Sequence, residues 1–492
     1  MRYKLRISLL IILIHSTILV AQNSYFIKYK DYVQKSEIAL KVSQNQFIPE
    51  VSNFQLSSEL RSVEYFAKGI AKRDDLFGRI IKVTFFQDVD DYTMQQLMND
   101  DPDIEYIQKE TTYRMDLVPN DSLLSQQWAL NKIEAFDAWD ETTGADSVLI
   151  GLIDTGVDYV HPDLMNKIFY NSGEMGMTGT NDPCWTGVPE DKRLNNCDDD
   201  GNGFIDDYMG WDFTDRVGFP FDSTGGDYLD WDNDPIDENG HGTYIAGIAG
   251  AQTDNVSGIA GAAPNIKIVN LRAFDPGGYG EEDDVAAAIL YSVQMGIKVI
   301  NMSFGDNSFS LVLRDVIRYA YSQNVVLVGS SGNSGSPNPH YPSGYPEVIC
   351  VGNSTIDDFV ASNSNYGSTL DLVAPGTQII TTARNNNYAS INGTSASTPL
   401  VAAAAALILS LHNFTNEEVK QILKSTTDDI DEPGWDLRSG AGRLNMRRAL
   451  TVIAPSIIKF NHPYQDFATL DDELLINATI LSPLFSFYNL YF

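Results

Sequence analysis

Ser395 stands in INGTSASTPLVAAAAALIL, from Ile391 to Leu409, between small residues and ahead of a proline and a run made mostly of alanine. Such a run reads as a helix packed inside the protein, because small side chains let backbones approach closely. At the amino-terminal end of that helix, unpaired N–H groups and the helix dipole favour negative charge developing nearby. A nucleophile gains from that position, and so does a plain capping serine. The partners decide. A serine hydroxyl attacks only when a base takes its proton, and histidine is the usual base. Of the six histidines, His15 lies in an apolar amino-terminal run, which leaves His161, His241, His340, His412 and His462. His241 stands out in NGHGTYIAGIAG, where a glycine on each side lets the chain turn into a small-residue helix. A carboxylate to orient it is supplied by Asp154, which ends the apolar run VLIGLID and precedes Thr-Gly. Taken singly, these are a cap, a helix-start histidine and a turn aspartate. Taken together they are the parts of a triad for acyl transfer.

Such residues need a scaffold that brings distant positions to one edge. From Asn120 onward, strand-like runs alternate with helical patterns: SVLIGLID, NIKIVNLRAF, DDVAAAILYSVQMG, IKVINMSFG, LVLRDVIRYAYSQ, NVVLVGSS and EVICVGN. That alternation predicts an α/β fold, a mainly parallel sheet with helices on both faces. Sheets of this kind carry ligands at the carboxyl ends of their strands. Three strands end in polar clusters, DTGVD, SFGDN and GSSGNSG, which should therefore share an edge. The region closes with TNEEVKQILKSTTDDI, a helix capped by Thr415.

Three stretches in the order Asp, His, Ser, namely IDTGVDYVHPDL, NGHGTYIAG and NGTSASTP, resemble the catalytic motifs of the subtilisin-like serine peptidases, the subtilases. The resemblance covers roughly 120 to 453. It implies a serine endopeptidase with Ser395 as nucleophile, His241 as general base and acid, and Asp154 as the group that orients the imidazole. It assigns Asn333 in SSGNSG to the oxyanion, and Ser303, Phe304, Gly305 and Gly332 to the binding of extended protein or peptide substrates. Two positions depart from the family pattern. Ala396 stands where methionine is usual, and Tyr244 replaces a common second histidine. An α/β-hydrolase reading fails for want of a G-x-S-x-G elbow, since GTSAS ends in serine. A catalytically idle, binding member of the family is the rival reading, and no triad residue is missing to favour it.

Between Asp154 and His241 lies the acidic insertion CDDDGNGFIDDYMGWDF. Asp198, Asp200, Asn202 and Gly203 match the first half of an EF-hand-like loop, with Asp206 at the ninth position, but the twelfth is Met209, so a full EF-hand is excluded. These residues predict either a Ca2+ site or a solvated acidic turn. The resemblance adds Asp163 in HPDL and Asn255 in TDNVSG as ligands of the family's tight calcium site, with calcium in a structural role.

The first residues, MRYKLRISLLIILIHSTILVAQ, put Arg2, Lys4 and Arg6 before an apolar run, the pattern of a secretory signal peptide over 1–21; a retained anchor is the alternative. The chain is therefore expected outside the cell or at its surface. Residues 22–118 are polar and mixed, with strand, helix and strand expected over GRIIKVTFFQDV, DYTMQQLMND and DIEYIQKE, a small α+β unit. By the resemblance this unit is a propeptide that assists folding, inhibits the site and is cut away between Tyr113 and Leu124. The peptidase domain then spans 119–453, and 454–492 reads as the opening strands of a further β module. With 66 acidic against 33 basic residues, the formal charge of −33 disfavours nucleic acid or an anionic membrane as partner. Three cysteines are too few for a disulfide framework: Cys184 and Cys197 could pair, and Cys350 in EVICVGN reads as a buried thiol.

Overall fold

The computed structural model of the chain describes residues 24–45, 60–67, 77–86, 101–110, 118–215 and 230–453, a few positions between 89 and 99, Pro455, and the backbone of 457–462 and 477–481. The expected signal segment, 1–21, lies outside the described residues. The chain divides into two compact units, Met1–Met115 and Asp116–Phe492.

The first unit holds β1 (Ser24–Tyr29), α1 (Lys35–Ser43), β2 (Leu60–Tyr65), β3 (Ile80–Phe85) and β4 (Ile104–Lys109). The strands form an antiparallel sheet in the order β2-β3-β1-β4. Alternate residues, Tyr25, Ile27 and Tyr29 from β1 and Ile81, Val83 and Phe85 from β3, bury one face together with Ile38 of α1. Two of the expected strands coincide with β3 and β4. The helix expected over 91–100 falls largely outside the described residues.

The second unit is built on seven strands: β5 (Leu149–Asp154), β6 (Gly210–Asp212), β7 (Lys267–Arg272), β8 (Val299–Met302), β9 (Val326–Ser330), β10 (Val348–Ser354) and β11 (Leu372–Pro375). Their order is β11-β10-β9-β8-β5-β7-β6, and every pairing is parallel. The α/β fold expected from the alternating pattern is the observed one. Successive residues of a strand serve opposite faces. Ile150 and Leu152 join one core with α2 (His241–Gly250) and α5 (Thr394–Leu411), whereas Leu149 and Ile153 join the other with α3 (Glu282–Gln294) and α4 (Leu311–Ser322). Chain order reverses around β5, whose neighbours are β7 and β8, so the sheet has its topological switch point there. The carboxyl ends of β5, β8 and β9 carry Asp154, Ser303 and the 331–333 segment to that edge.

The helix expected near Thr415 is α6 (Asn416–Ser425), and its capping box with Glu418 is formed. The tail carries β14 (Ile457–His462) and β15 (Asn477–Leu481), paired as an antiparallel ribbon; β12 (Ile379–Ala383) and β13 (Asn387–Ile391) form a hairpin leading into α5.

Candidate active site

His241 is the first residue of α2, and the start of that helix presses against the turn after β5. A methyl group at Gly242 would lie 2.0 Å from the Gly156 carbonyl oxygen and 3.2 Å from Asp154 Cβ, so only glycine permits the approach. Buried Asp237 ties the same pieces together. Its Oδ1 accepts from Thr155 Oγ1 at 3.0 Å and from the Gly240 N–H at 2.7 Å, while its Oδ2 accepts from the Thr243 N–H at 2.9 Å. The Thr155 hydroxyl in turn accepts from the Gly242 N–H at 2.9 Å. The result is a fixed pair: His241 Nδ1 lies 2.7 Å from Asp154 Oδ1, with Asp154 buried and the imidazole about a third exposed (35%).

A carboxylate only accepts, so the neutral imidazole carries its proton on Nδ1 and offers Nε2 as the acceptor. Burial opposes charge on this ring, but the Asp154 charge, the Asp154 hydrogen bond and the charge of Asp237 outweigh it and hold the His241 pKa above its ordinary value.

Ser395 is the second residue of α5, behind Gly393 as N-cap. Four residues on, Pro399 has no N–H to give the Ser395 carbonyl, the bond a regular helix makes there. The Ser303 hydroxyl fills the gap, donating to the Ser395 carbonyl at 3.1 Å, while Asn301 Nδ2 donates to Ser303 Oγ at 3.0 Å. The Ser395 hydroxyl donates to the Ser303 carbonyl at 3.0 Å, so in this arrangement its proton is held there and not by His241. Asn333 lies alongside. Its Oδ1 accepts from the Thr394 N–H at 2.9 Å and from the Thr394 hydroxyl at 3.2 Å, which leaves the exposed NH2 end as donor.

Of the other residues singled out in the sequence, Ser303, Phe304 and Gly305 follow β8, Ser303 buried and the Phe304 ring packed against Phe274 with centroids 4.7 Å apart and planes tilted by 49°. Gly332 lies next to Asn333 and gives its N–H to Thr394 Oγ1 at 3.3 Å. Ala396 is fully buried in the core, and Tyr244 sits one turn along α2 from His241.

Asp163 and Asn255 meet, Asn255 Nδ2 donating to Asp163 Oδ1 at 2.8 Å. Asp121, missed in the sequence, joins them by accepting the Asp254 and Asn255 N–H groups; burial first, with the Asp163 charge adding to it, raises its pKa. In the acidic insertion, Cys184 and Cys197 form a disulfide with Cα atoms 5.9 Å apart, and Cys350 is a buried thiol pushed up to about 12 by burial. Carboxylate oxygens of Asp198, Asp200 and Glu174 lie within 4.8 Å of one another. Asp206 is not in that group: its Oδ2 accepts the Asn196 N–H at 3.1 Å instead. Asn202 spans the edge, its Nδ2 donating to Asp207 Oδ2 at 2.9 Å. Glu174 is fully buried, its Oε1 takes the Asp199 and Asp200 N–H groups, and its Oε2 has no hydrogen-bond partner among the described residues. Burial pushes this carboxyl up to about 7. Nothing in YNSGEMG marks Glu174 as part of a loop so far downstream.

A parallel α/β sheet with an aspartate-histidine pair and a helix-start serine at its switch point defines a class of hydrolytic enzyme. Residues 145–442 match the model of the subtilase family, peptidase S8, and the chain belongs to that family. It is 35% identical over 355 residues to the thermophilic serine proteinase of Bacillus sp. (strain AK1), covering 72% of this chain and 74% of that one. To thermitase of Thermoactinomyces vulgaris it is 33% identical over 335 residues, covering 68% of this chain and 99% of thermitase. A solved protease of Pseudoalteromonas arctica PAMC 21717 superposes with a TM-score of 0.55 at 26% identity, over 68% of this chain and 98% of that one. The chain is a subtilisin-like serine endopeptidase.

Proposed function

We propose that this enzyme cleaves peptide bonds through an acyl-enzyme on Ser395, with His241, Asp154 and Asn333 as its working groups. The observation that carries the reading is the 2.7 Å Asp154–His241 bond at the sheet edge, together with Ser395 in the first turn of α5. On substrate binding, the Ser395 hydroxyl turns from the Ser303 carbonyl to His241 Nε2. Oγ then attacks the scissile carbonyl carbon as Nε2 takes its proton, and Asp154 stabilises the imidazolium. The tetrahedral oxyanion is met by Asn333 Nδ2–H and the Ser395 N–H, donors already in place before charge develops. His241 passes the proton to the leaving amine. Water, deprotonated by the same Nε2, then opens the ester and restores Ser395. Backbone of Ser303, Phe304 and Gly305 pairs with extended substrate, and Gly332 borders the primary recess.

The enzyme is exported by its signal peptide and made as a zymogen, with 22–118 as an intramolecular inhibitor removed on maturation. The antiparallel unit over 24–110 has a core of its own, as a removable domain requires.

Calcium fits two places. Asp163, Asn255 and Asp121 would hold it at one, where two buried carboxylates lie close enough for the Asp163 charge to raise the Asp121 pKa. Asp198, Asp200 and Glu174 would hold it at the other, where the orphaned Glu174 Oε2 is the mark of fit. Bound there, calcium neutralises converging carboxylates and ties surface loops to the core.

The test is expression of residues 22–492 with calcium, treatment with a fluorophosphonate probe, and casein digestion, with Ser395→Ala in parallel. The parent labels, loses its propeptide and cleaves; the variant does none of these. A folded, propeptide-free parent that neither labels nor cleaves overturns the reading in favour of a binding role. Digests of unrelated proteins separate broad degradation from maturation of a few substrates.

A further inference from the structure

In the substrate reading above, extended peptide lies along 303–305 and Gly332 borders the primary recess, so the side chain on the acyl side of the scissile bond enters between the segments 303–305 and 331–333, the first of which is tied to Ser395 through Ser303. An imidazole already stands in that gap. A methyl group at Gly305 would lie 2.5 Å from His340 Cε1 and 2.7 Å from its Nδ1, and one at Gly332 would lie 3.0 Å from His340 Cδ2. The ring therefore touches both walls, where the chain has no side chain of its own to give. On the Gly332 side, Asn365 Nδ2 closes further space, 2.4 Å from the same added methyl.

His340 is held rather than swinging. Its Nδ1 donates to the Ser330 carbonyl at 3.0 Å, and its own carbonyl accepts from Ser343 Oγ at 2.6 Å and from the Gly344 N–H at 2.6 Å. Burial lowers its pKa against the pull of the Ser330 and Gly305 backbones and of Asp306. A neutral ring gives an acidic side chain no counter-charge.

Building on the peptidase reading above, we propose that His340 is the floor of the primary specificity recess and restricts the residue on the acyl side of the scissile bond to glycine, alanine or serine. A recess filled by an imidazole has no volume left for a second ring, and displacing a tethered, packed side chain costs more than a large apolar group gains by entering. This histidine neither donates to nor accepts from the reacting atoms. It sets specificity through shape.

The experiment uses enzyme matured from the full chain, titrated with a fluorophosphonate, and a peptide p-nitroanilide series Ala-Ala-Pro-Xaa with Xaa glycine, alanine, serine, leucine or phenylalanine. The wild type prefers alanine to phenylalanine by about 10-fold or more in kcat/KM, the scale on which pocket volume discriminates. His340→Gly and His340→Ala shift the phenylalanine-to-alanine ratio upward by about 10-fold or more, and His340→Phe, which keeps the recess filled without its polar atoms, keeps the small-residue preference. A wild type that cleaves the phenylalanine or leucine peptide as well as the alanine peptide overturns the proposal, whether or not the variants mature. So does an unchanged order in a labelled His340→Gly enzyme. Failure of the peptidase reading looks different: no labelling, and no turnover of any member of the series.

Discussion

At Asn333 the two ends of one amide are put to separate use, the oxygen anchored by Thr394 and the nitrogen left to donate. On the proposed mechanism, Asn333→Ala therefore removes a donor to the oxyanion while the Asp154–His241 pair stays as it is. We expect kcat to fall about 10²–10³-fold, roughly 2.7–4 kcal/mol, the loss known for the corresponding donor in subtilisin, with KM little changed. Steady-state kinetics on one peptide substrate checks the split. The Asp154–His241 pair makes a second prediction through pH. On the proposed mechanism catalysis needs a neutral His241, and its pKa is raised, so the acid limb of kcat/KM lies above the ordinary histidine value of about 6.5 and activity is lost as pH falls through it. Asp154→Asn removes the anion responsible. The limb then moves to lower pH, while kcat drops by about 10⁴-fold as the tautomer is lost. A limb that stays in place in the variant contradicts the assignment. The Asp154–His241 pair and the helix-start position of Ser395 were legible in the sequence because three motifs had to agree in order. Asp237 was not, since an aspartate in DENGHG shows its function only when the Thr155 turn folds back on it.

At the scale of one element, α5 combines a role in the core with a role at the site. Its alanines and leucines pack against α2 and the sheet, and its first turn carries Ser395. The small-residue run and Thr-Pro announced such a helix from sequence alone. What the run could not announce is that Pro399 strips the Ser395 carbonyl of its helical donor and that Ser303, on a different strand end, replaces it. Ser303→Ala leaves a carbonyl at the buried end of the helix without a partner and is expected to cost about 1–3 kcal/mol. Pro399→Ala supplies an N–H in the same place. In that background Ser303→Ala should cost less than it does alone, a coupling that a double-mutant cycle of denaturation midpoints measures directly. Additive effects would show that the Ser303 hydroxyl does not stand in for the missing N–H.

At the scale of the whole molecule the question is how a chain of formal charge −33 holds its carboxylates together. The parallel sheet with helices on both faces followed from the alternation of strands and helices, though its strand order did not, and the acidic insertion was legible only in part: D-x-D-x-N-G pointed to Asp198 and Asp200, but spacing along a loop cannot show that Glu174 converges on them or that Asp206 turns away. That convergence has an energetic consequence. Without calcium, Glu174 is buried with one oxygen unpaired among the described residues beside two like charges, which costs stability; in the proposed calcium site the same oxygen would become a ligand. Glu174→Gln should therefore act with opposite sign in the two conditions. In EGTA the variant is at least as stable as the parent, because it removes a buried like charge. In excess calcium the parent gains more than the variant, by about 2.7 kcal/mol when calcium stands at 100 times its Kd and the variant no longer binds at that place. Thermal unfolding of Ser395→Ala protein, which cannot digest itself, measures both arms without autolysis, and the Asp163 region contributes equally to parent and variant. If Glu174→Gln lowers the midpoint by the same amount with and without calcium, the glutamate is a structural acceptor for the Asp199 and Asp200 N–H groups and nothing more.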